Sequence, residues 1–207
     1  MGILSQGILG PVKGKIGAVV GSNWKGINTV RGYTIPTDPQ TEDQVTQRTM
    51  FAWIVLIAKL LLSDVIHTYW EQFAVKMSGY NKFVQSNRNA VSAVDTYSEL
   101  VISEGSLEPS PLTAANYSDS SGYLGLEWSG SLLGNGLGTD KVVCICIDAN
   151  NEVAFFDDST TRSDTSCDID IGAGRTPSDL HAYMFFTRGL AETLEVSASD
   201  YMVVSAT

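Results

Sequence analysis

The spacing of hydrophobic residues changes twice along the chain, and each change marks a different kind of predicted structure. Two runs rich in β-branched residues, Val12 to Val20 and Ile27 to Tyr33, flank the dipeptide Lys25-Gly26. β-Branched side chains favour extended backbone, and glycine accepts the positive φ of a tight reversal. The pattern therefore predicts a two-stranded β-ribbon that reverses at Lys25-Gly26.

Between the ribbon and residue 90, apolar residues recur at three- and four-residue spacing, the period of a helix face. Thr41 and Gln44 have the spacing of a capping box, and they follow Pro39, which blocks a helix before them. The pattern predicts three helices, over Glu42 to Leu62, Asp64 to Met77 and Ser78 to about Ala90.

The first predicted helix is apolar around most of its circumference. Its regular face comprises Phe51, Ile54, Ala58 and Leu61, and this face is widened by Trp53, Leu56, Ile57 and Leu60. A helix of this kind is buried on most sides. Two explanations stay open from the sequence: burial against partner subunits, or burial as the central helix of the chain's own core.

After about Val91 the helical period ends and short extended segments begin. The predicted strands are Glu99–Ile102, Tyr123–Trp128, Lys141–Ile147, Val153–Asp157, His181–Thr187 and Tyr201–Ser205. Both faces of the segment 141–147 are apolar, which is typical of a central strand. We therefore predict an α+β chain: a glycine-rich β-ribbon and helices in residues 1–97, followed by an antiparallel immunoglobulin-like β-sandwich in residues 98–207.

Glycine is unusually frequent in the predicted ribbon. It recurs at Gly10, Gly14, Gly17, Gly21, Gly26 and Gly32. Glycine weakens a strand and often marks a bulge or the close approach of another backbone. Because an isolated two-stranded ribbon is marginally stable in water, we expect this one to be covered by the rest of the chain or by a neighbouring subunit.

The segment from Gly10 to Lys15 superficially resembles a phosphate-binding loop. It has three residues between its glycines where that motif has four, and Ile16 stands where the motif has Ser or Thr. We therefore predict no nucleotide site and no cofactor.

The N-terminal motif resembles a known group of proteins. Residues 14–21 read Gly-Lys-Ile-Gly-Ala-Val-Val-Gly, and a Lys-Gly turn, a Val-Arg pair and the pattern Pro-x-x-Pro-x-Thr-x-x-Gln-x-x-x-Arg-x-x-Phe follow. This string resembles uncharacterised proteins of Bacteroidetes and their phages and prophages, which carry only a domain-of-unknown-function label. The resemblance is best up to about Val91 and looser beyond it. It implies a phage-associated structural role and identifies no catalytic residue.

Charge is distributed unevenly over the net value of −10. Residues 1–40 hold four bases and one acid, residues 41–97 hold five of each, and residues 98–207 hold four bases and seventeen acids. A basic ribbon and an acidic domain could form a head-to-tail docking pair. Alternatively, the acids serve only to keep a β domain soluble.

The cysteines and the apolar runs bear on location. Cys144 and Cys146 lie on one face of a predicted strand, where ordinary disulfide geometry does not join them, and Cys167 stands alone. We expect buried free thiols in a reducing compartment. The longest apolar run, Phe51 to Leu62, contains Lys59 and is too short for a membrane span.

No catalytic or metal-binding pattern emerges from the sequence. His67 and His181 are the only histidines, and no Gly-x-Ser-x-Gly elbow accompanies them, so we predict that the chain is not an enzyme. Asp168 and Asp170 could contribute to a calcium site, but six or more oxygens are needed. We favour the alternative that they line the wet face of a strand.

These observations favour a structural protein that makes subunit contacts through its N-terminal part. The predicted contact residues are Gly14, Gly17, Gly21, Trp24, Arg31, Phe51, Trp53 and Ile57. The expected partners are further copies and other virion or assembly proteins, in a virion assembled in the bacterial cytoplasm. Four bases and one aromatic residue are a thin footprint for nucleic acid, so we expect none to bind.

The alternative is a surface module that binds a glycan or a protein through its sandwich. The candidate aromatic residues for this role are Tyr123, Trp128, Tyr183 and Tyr201. Trp128 lies within a predicted strand, a position more typical of sandwich core.

Overall fold

Helices and mainly antiparallel sheets combine in a mixed α+β fold. The computed structural model describes residues 2–3, 13–24, 26–35, 37–130, 132, 134–189 and 193–206. Its contacts divide the chain into two compact units, Met1–Glu42 and Asp43–Thr207. The sequence had placed the division after residue 97, whereas the helices share a buried cluster with C-terminal strands.

The N-terminal unit holds a four-stranded sheet of order β1-β4-β3-β2. Its strands are β1 (Gly2–Ile3), β2 (Gly14–Ile16), β3 (Val19–Trp24) and β4 (Ile27–Gly32). Trp24 pairs with Ile27, so the predicted reversal at residues 25–26 is confirmed. The predicted two-stranded ribbon is wrong, because a turn at Gly17 divides the first run into β2 and β3. Gly10, Val12 and Lys25 lie outside the described residues.

Three helical segments follow, and their boundaries only partly match the prediction. They are α1 (Glu42–Leu60), a π-helical segment (Leu62–Trp70) that continues into the 3₁₀ turn Glu71–Phe73, and α2 (Gly79–Ala90). The Ile66 amide donates to the Leu61 carbonyl at 2.9 Å, the i→i+5 bond of a π-helix. The predicted helix start at Asp64 is therefore wrong, because that residue lies inside the helical segment Leu62–Trp70.

The start of the last helix is confirmed, since the Ser78 hydroxyl accepts a hydrogen bond from the Asn81 amide at 3.3 Å. The segments Glu42–Leu60 and Leu62–Phe73 meet at an angle of 91°. In the described part of the chain, no single helix has the length and hydropathy of a membrane span, and this bent pair passes only when its two members are combined.

Two sheets make up most of the C-terminal part. Their strands are β5 (Leu112–Ser118), β6 (Tyr123–Trp128), β7 (Lys141–Asp148), β8 (Val153–Asp157), β9 (Ser166–Asp170), β10 (Leu180–Arg188), β11 (Glu195–Val196), β12 (Asp200–Val203) and β13 (Ser205–Ala206). One sheet has the order β11-β10-β7-β8, with β12 also paired to β10. The other has the order β13-β5-β6-β9 and includes one parallel pair, β13 with β5, so it is not wholly antiparallel.

The predicted strand Glu99–Ile102 is wrong for an identifiable reason. A 3₁₀ turn covers Tyr97–Glu99, and the backbone of Val101 bonds to the side chain of Asn87 instead of to a strand. The Asn87 side chain accepts from the Val101 amide at 2.8 Å and donates to its carbonyl at 3.0 Å. Those backbone groups are satisfied without a sheet partner.

The central strands β7 and β10 separate two buried clusters. On one side Val143, Ile145 and Ile147 pack with the helices. On the other side Val142, Cys144 and Cys146 pack with the sheet β13-β5-β6-β9. The prediction of a central strand with two apolar faces is therefore confirmed. The Asp43–Thr207 unit thus has three layers: helices, the five-stranded sheet and the four-stranded sheet.

Candidate functional site

Strand register assigns the side chains of the N-terminal sheet to two faces. Directly paired residues share a face, and successive residues alternate between faces. One face, here called the glycine face, includes Gly14, Ile16, Val19, Gly21, Asn23, Asn28, Val30 and Gly32. The other, the basic face, includes Lys15, Val20, Ser22, Ile27, Thr29 and Arg31. Two of the predicted contact glycines, Gly14 and Gly21, therefore lie side by side on one surface.

This sheet buries very little of itself. Among the residues between 13 and 35 whose burial the structure describes, a set that does not include Trp24, Gly21 is the only buried one. Ile16 is 58% exposed and Val19 is 38% exposed. None of these residues belongs to either buried cluster of the chain. Since sheets are stabilised by covering an apolar face, this sheet as described lacks the main source of such stability.

Backbone conformation explains three of the glycines. Gly14, Gly17 and Gly26 have φ values of +97°, +57° and +84°, which disfavour any residue with a Cβ. A Cβ built at these positions meets no described heavy atom within 4 Å. Among the described residues, the need for glycine at these three positions is therefore conformational.

Gly32 differs from those three. Its φ lies outside the left-handed region, and a Cβ built on it also meets no described atom within 4 Å. Neither backbone strain nor a neighbour in the described chain requires glycine there. Gly32 pairs with Val19 on the glycine face, and Val19 in turn pairs with Ile16.

The basic face presents two cations beside an aromatic ring. Lys15 and Arg31 are both paired with Val20, and the ammonium of Lys15 lies 3.6 Å from the centre of the Tyr33 ring. These residues line a groove of ≈ 650 Å³. Trp24, another predicted contact residue, ends β3 opposite Ile27.

The three predicted contact residues on α1 separate into two kinds. Trp53 and Ile57 are buried in the chain's own core, where Trp53 packs edge-on against Tyr97 at a centroid distance of 5.2 Å. Phe51 is 50% exposed, whereas the other members of its predicted face, Ile54, Ala58 and Leu61, are buried. Because the helix buries Met50, Trp53, Ile54 and Ile57, most of its apolar character is explained by the chain itself.

The outer surface of the C-terminal sheet β13-β5-β6-β9 is acidic. Asp168 and Asp170 are exposed on β9, whereas Cys167 and Ile169 between them are buried, which confirms the predicted wet face of a strand. Glu127 is exposed on the adjacent strand β6. Among the described residues, no group of three or more His, Cys, Asp or Glu side chains has metal-binding geometry.

Three of the four bases in residues 98–207 are engaged with buried acids. Asp140 is almost fully buried and accepts from Arg188 at 2.7 and 3.0 Å. Arg162 is fully buried, with its Nε 3.3 Å from Asp140 Oδ2 and its guanidinium over the Phe186 ring. Arg175 bonds to the buried carboxylate of Asp148. These bases therefore neutralise buried carboxylates, and Arg188 also lies 3.4 Å from the exposed carboxylate of Glu195.

His181 lies at an open cavity of ≈ 430 Å³, but its partners do not form a catalytic arrangement. Its ring stacks on Tyr97 at 3.7 Å, and its Nδ1 lies 3.0 Å from the Tyr201 hydroxyl. Burial lowers the pKa of His181, although the nearby carboxylates of Asp179 and Asp95 act to raise it. The described contacts of the His181 ring are with the tyrosines Tyr97 and Tyr201.

The thiols are equally unsuited to nucleophilic chemistry. Cys144, Cys146 and Cys167 are all buried and unpaired, as predicted. A hydrogen bond with Cys167 and burial raise the pKa of Cys144, and burial raises the pKa of Cys146 to about 12. Trp128 and Tyr183 are also buried, so the prediction that Trp128 is core is confirmed.

These features define a mixed α+β protein whose most unusual surface is a thinly covered N-terminal sheet. A family model described as "Family of unknown function (DUF6266)" matches residues 11–203, and the chain belongs to this family. Comparisons with curated proteins and with solved structures gave no match. The predicted membership of an uncharacterised family is confirmed, and it extends well beyond the N-terminal half.

Replacing Asp140 with Asn should destabilise the protein by about 3 kcal/mol, because Arg162 would keep a buried charge without its counter-ion. Urea unfolding followed by circular dichroism measures the change. The control is Asp158→Asn at an exposed position, which should stay within about 0.5 kcal/mol of the unaltered protein. Equal stability of the two variants would contradict a structural role for the buried ion pairs.

The lowered pKa of His181 predicts a stability that is fully present above the unfolded value of about 6.5 and declines as the pH falls toward the folded value. The loss cannot exceed about 1.4 kcal/mol per pH unit for one group. His181→Phe, which keeps a ring against Tyr97, should remove this dependence in urea unfolding between pH 7.5 and 5.5. The control His67→Gln alters an exposed histidine and should retain it. Identical pH profiles for His181→Phe and the unaltered protein would contradict the assignment.

Proposed function

We propose that the chain is a non-enzymatic structural protein that assembles with further copies of itself, and with other assembly proteins, through its N-terminal sheet. The exposure of this sheet is the observation that carries the proposal. Ile16, Val19, Ile27 and Tyr33 are all exposed large hydrophobic residues within or beside this sheet, and Gly21 is the one buried residue among those between 13 and 35 whose burial is described. Ile16 and Val19 lie on the glycine face, whereas Ile27 and Tyr33 lie on the opposite side of the sheet. Both faces therefore expose apolar side chains, and large exposed apolar surface is characteristic of protein contacts.

Gly32 gives this proposal a specific location. The described chain supplies no reason for glycine at this position, whereas a partner surface seated on the glycine face would. Exposed Gly14 lies one row away on the same face and leaves its backbone accessible to a flat partner, whereas Gly21 beside it is buried. Phe51, exposed on α1, is a further candidate contact.

We further propose that the assembly is a phage particle, in which the protein is a capsid-, neck- or tail-associated component made in the bacterial cytoplasm. This part rests on the resemblance of the N-terminal motif to proteins of Bacteroidetes and their phages. The two facing sheets of the C-terminal part would supply an immunoglobulin-like body, a common architecture that does not itself determine function.

The open cavity beside His181 favours a second candidate function, a surface-binding module for a glycan or protein. Its lining combines the Tyr97 ring with polar groups of Asp95, Asn150 and Asp179. Of the aromatic candidates for glycan stacking, Trp128 and Tyr183 are buried, and Tyr123 is 45% exposed on another surface. This function would require no self-association, which separates it from the first proposal.

Light scattering after size-exclusion chromatography should show that the full chain is an oligomer. Gly32→Val should lower the apparent mass toward the monomer while the circular dichroism spectrum remains that of a folded chain, because the space at Gly32 is open and valine favours a strand. Gly32→Ala should have the same effect to a smaller degree.

The matched control is Gly138→Ala, since Gly138 also lies outside the left-handed region and has room for a Cβ, with Ser163 3.6 Å away. This variant should assemble like the unaltered chain. A monomer at every accessible concentration would contradict the proposal, and so would undiminished assembly of Gly32→Val.

A further inference from the structure

We propose that the basic face of the N-terminal sheet binds the acidic outer face of the C-terminal sheet β13-β5-β6-β9 on a second copy of this chain, so that copies associate head to tail. The acidic face comprises Tyr123, Glu127, Asp168 and Asp170, together with Gly125. This inference rests on the proposed assembly function and identifies both the partner and its surface.

The basic face carries cations and hydroxyl groups that can bind carboxylates. Lys15 and Arg31 are exposed on either side of Val20, and the Tyr33 ring orients the Lys15 ammonium through a cation–π contact. The hydroxyls of Ser22 and Thr29, 2.8 Å apart, add hydrogen-bonding groups on the same face. No acid precedes Asp38 in the sequence, so the strands of this sheet contain no carboxylate side chain to neutralise these cations.

The acidic face has the opposite composition. Strand register places Gly125 beside Asp168, Tyr123 beside Asp170, and Glu127 beside Ser166. The strands of this sheet, β5, β6, β9 and β13, contain no lysine or arginine. Because Gly125 has no side chain, the acidic face is recessed at its centre. A Cβ built at Gly125 would lie 3.1 Å from a carboxylate oxygen of Asp168.

The internal ion pairs explain why the acidic face stays acidic. Arg162, Arg175 and Arg188 are engaged with Asp140 and Asp148, which leaves Lys141 on the central strand β7 as the remaining base of residues 98–207. The surface carboxylates therefore have their most favourable electrostatic interactions with cations that lie outside their own sheet. The same chain carries such a surface, and complementary potentials of this kind favour association and fix its orientation.

Reversing the charges tests the pairing in the full-length chain. The variants are Lys15→Glu with Arg31→Glu, Asp168→Lys with Asp170→Lys, and the combination of all four. Analytical ultracentrifugation should show that each double variant self-associates at least about 100-fold more weakly, because like charges would then face each other. The fourfold variant should regain association, and so should an equimolar mixture of the two double variants, in which both junctions are again complementary.

The control for net charge is Lys59→Glu with Lys76→Glu, which reverses two exposed cations elsewhere and should leave association unchanged. The salt dependence of self-association in the unaltered chain is a second test, and it does not depend on whether any variant folds. Its association should weaken at least about tenfold between 0.1 and 1 M salt, as the Debye length falls from about 10 Å to about 3 Å.

Failure of both the fourfold variant and the mixture to associate would overturn the pairing, as would association that is insensitive to salt. If the double variants assemble like the unaltered chain, a different surface covers the basic face, and the pairing is wrong while the assembly function stands. If the unaltered chain is a monomer throughout, the assembly function fails as well.

Discussion

The distribution of buried apolar surface is the constraint on which this structure depends. In the Asp43–Thr207 unit, β7 and β10 are covered on both faces, by helices on one side and by the four-stranded sheet on the other. Burial on that scale supplies the dominant favourable term in folding. The N-terminal sheet has the backbone pairing of a sheet without comparable described burial, and this contrast is the basis of our proposal that it contacts other subunits.

Charge follows a related division between interior and surface. Asp140 and Asp148 are buried with arginine partners, an arrangement in which loss of either partner would leave an uncompensated charge. Because most bases of residues 98–207 are used in this way, the acids on β6 and β9 remain uncompensated within their own sheet. The bases of the first forty residues lie instead on a sheet whose strands carry no acidic side chain.

Sequence patterns predicted the elements whose signals are local. The apolar segment 141–147, the reversal between Trp24 and Ile27, and the helix start at Ser78 were all readable, because alternation, turn chemistry and capping each act over a few residues. Strand β5 was missed because its outward positions are small or polar and give a weak alternating signal. The bonding of Val101 to Asn87 depends on a tertiary contact that no local pattern encodes.

The candidate site was only partly predictable for the same reason. Glycine frequency pointed to the N-terminal sheet, but only the backbone angles distinguish Gly14, Gly17 and Gly26, which turns require, from Gly32, which they do not. On α1, apolar residues surround the helix, so periodicity could not separate buried Trp53 from exposed Phe51. The acidic face became visible once register placed β9 beside β6.

Hydrogen–deuterium exchange of the N-terminal sheet amides as a function of protein concentration tests the central claim most directly. If the sheet is stabilised by other subunits, the amides of β3 and β4 should exchange quickly in dilute solution and slowly where light scattering shows oligomers. The amides of β7 and β10 should stay protected throughout, since their burial lies within the chain. Protection of β3 and β4 equal to that of β7 and β10, in a species shown to be monomeric, would contradict the account.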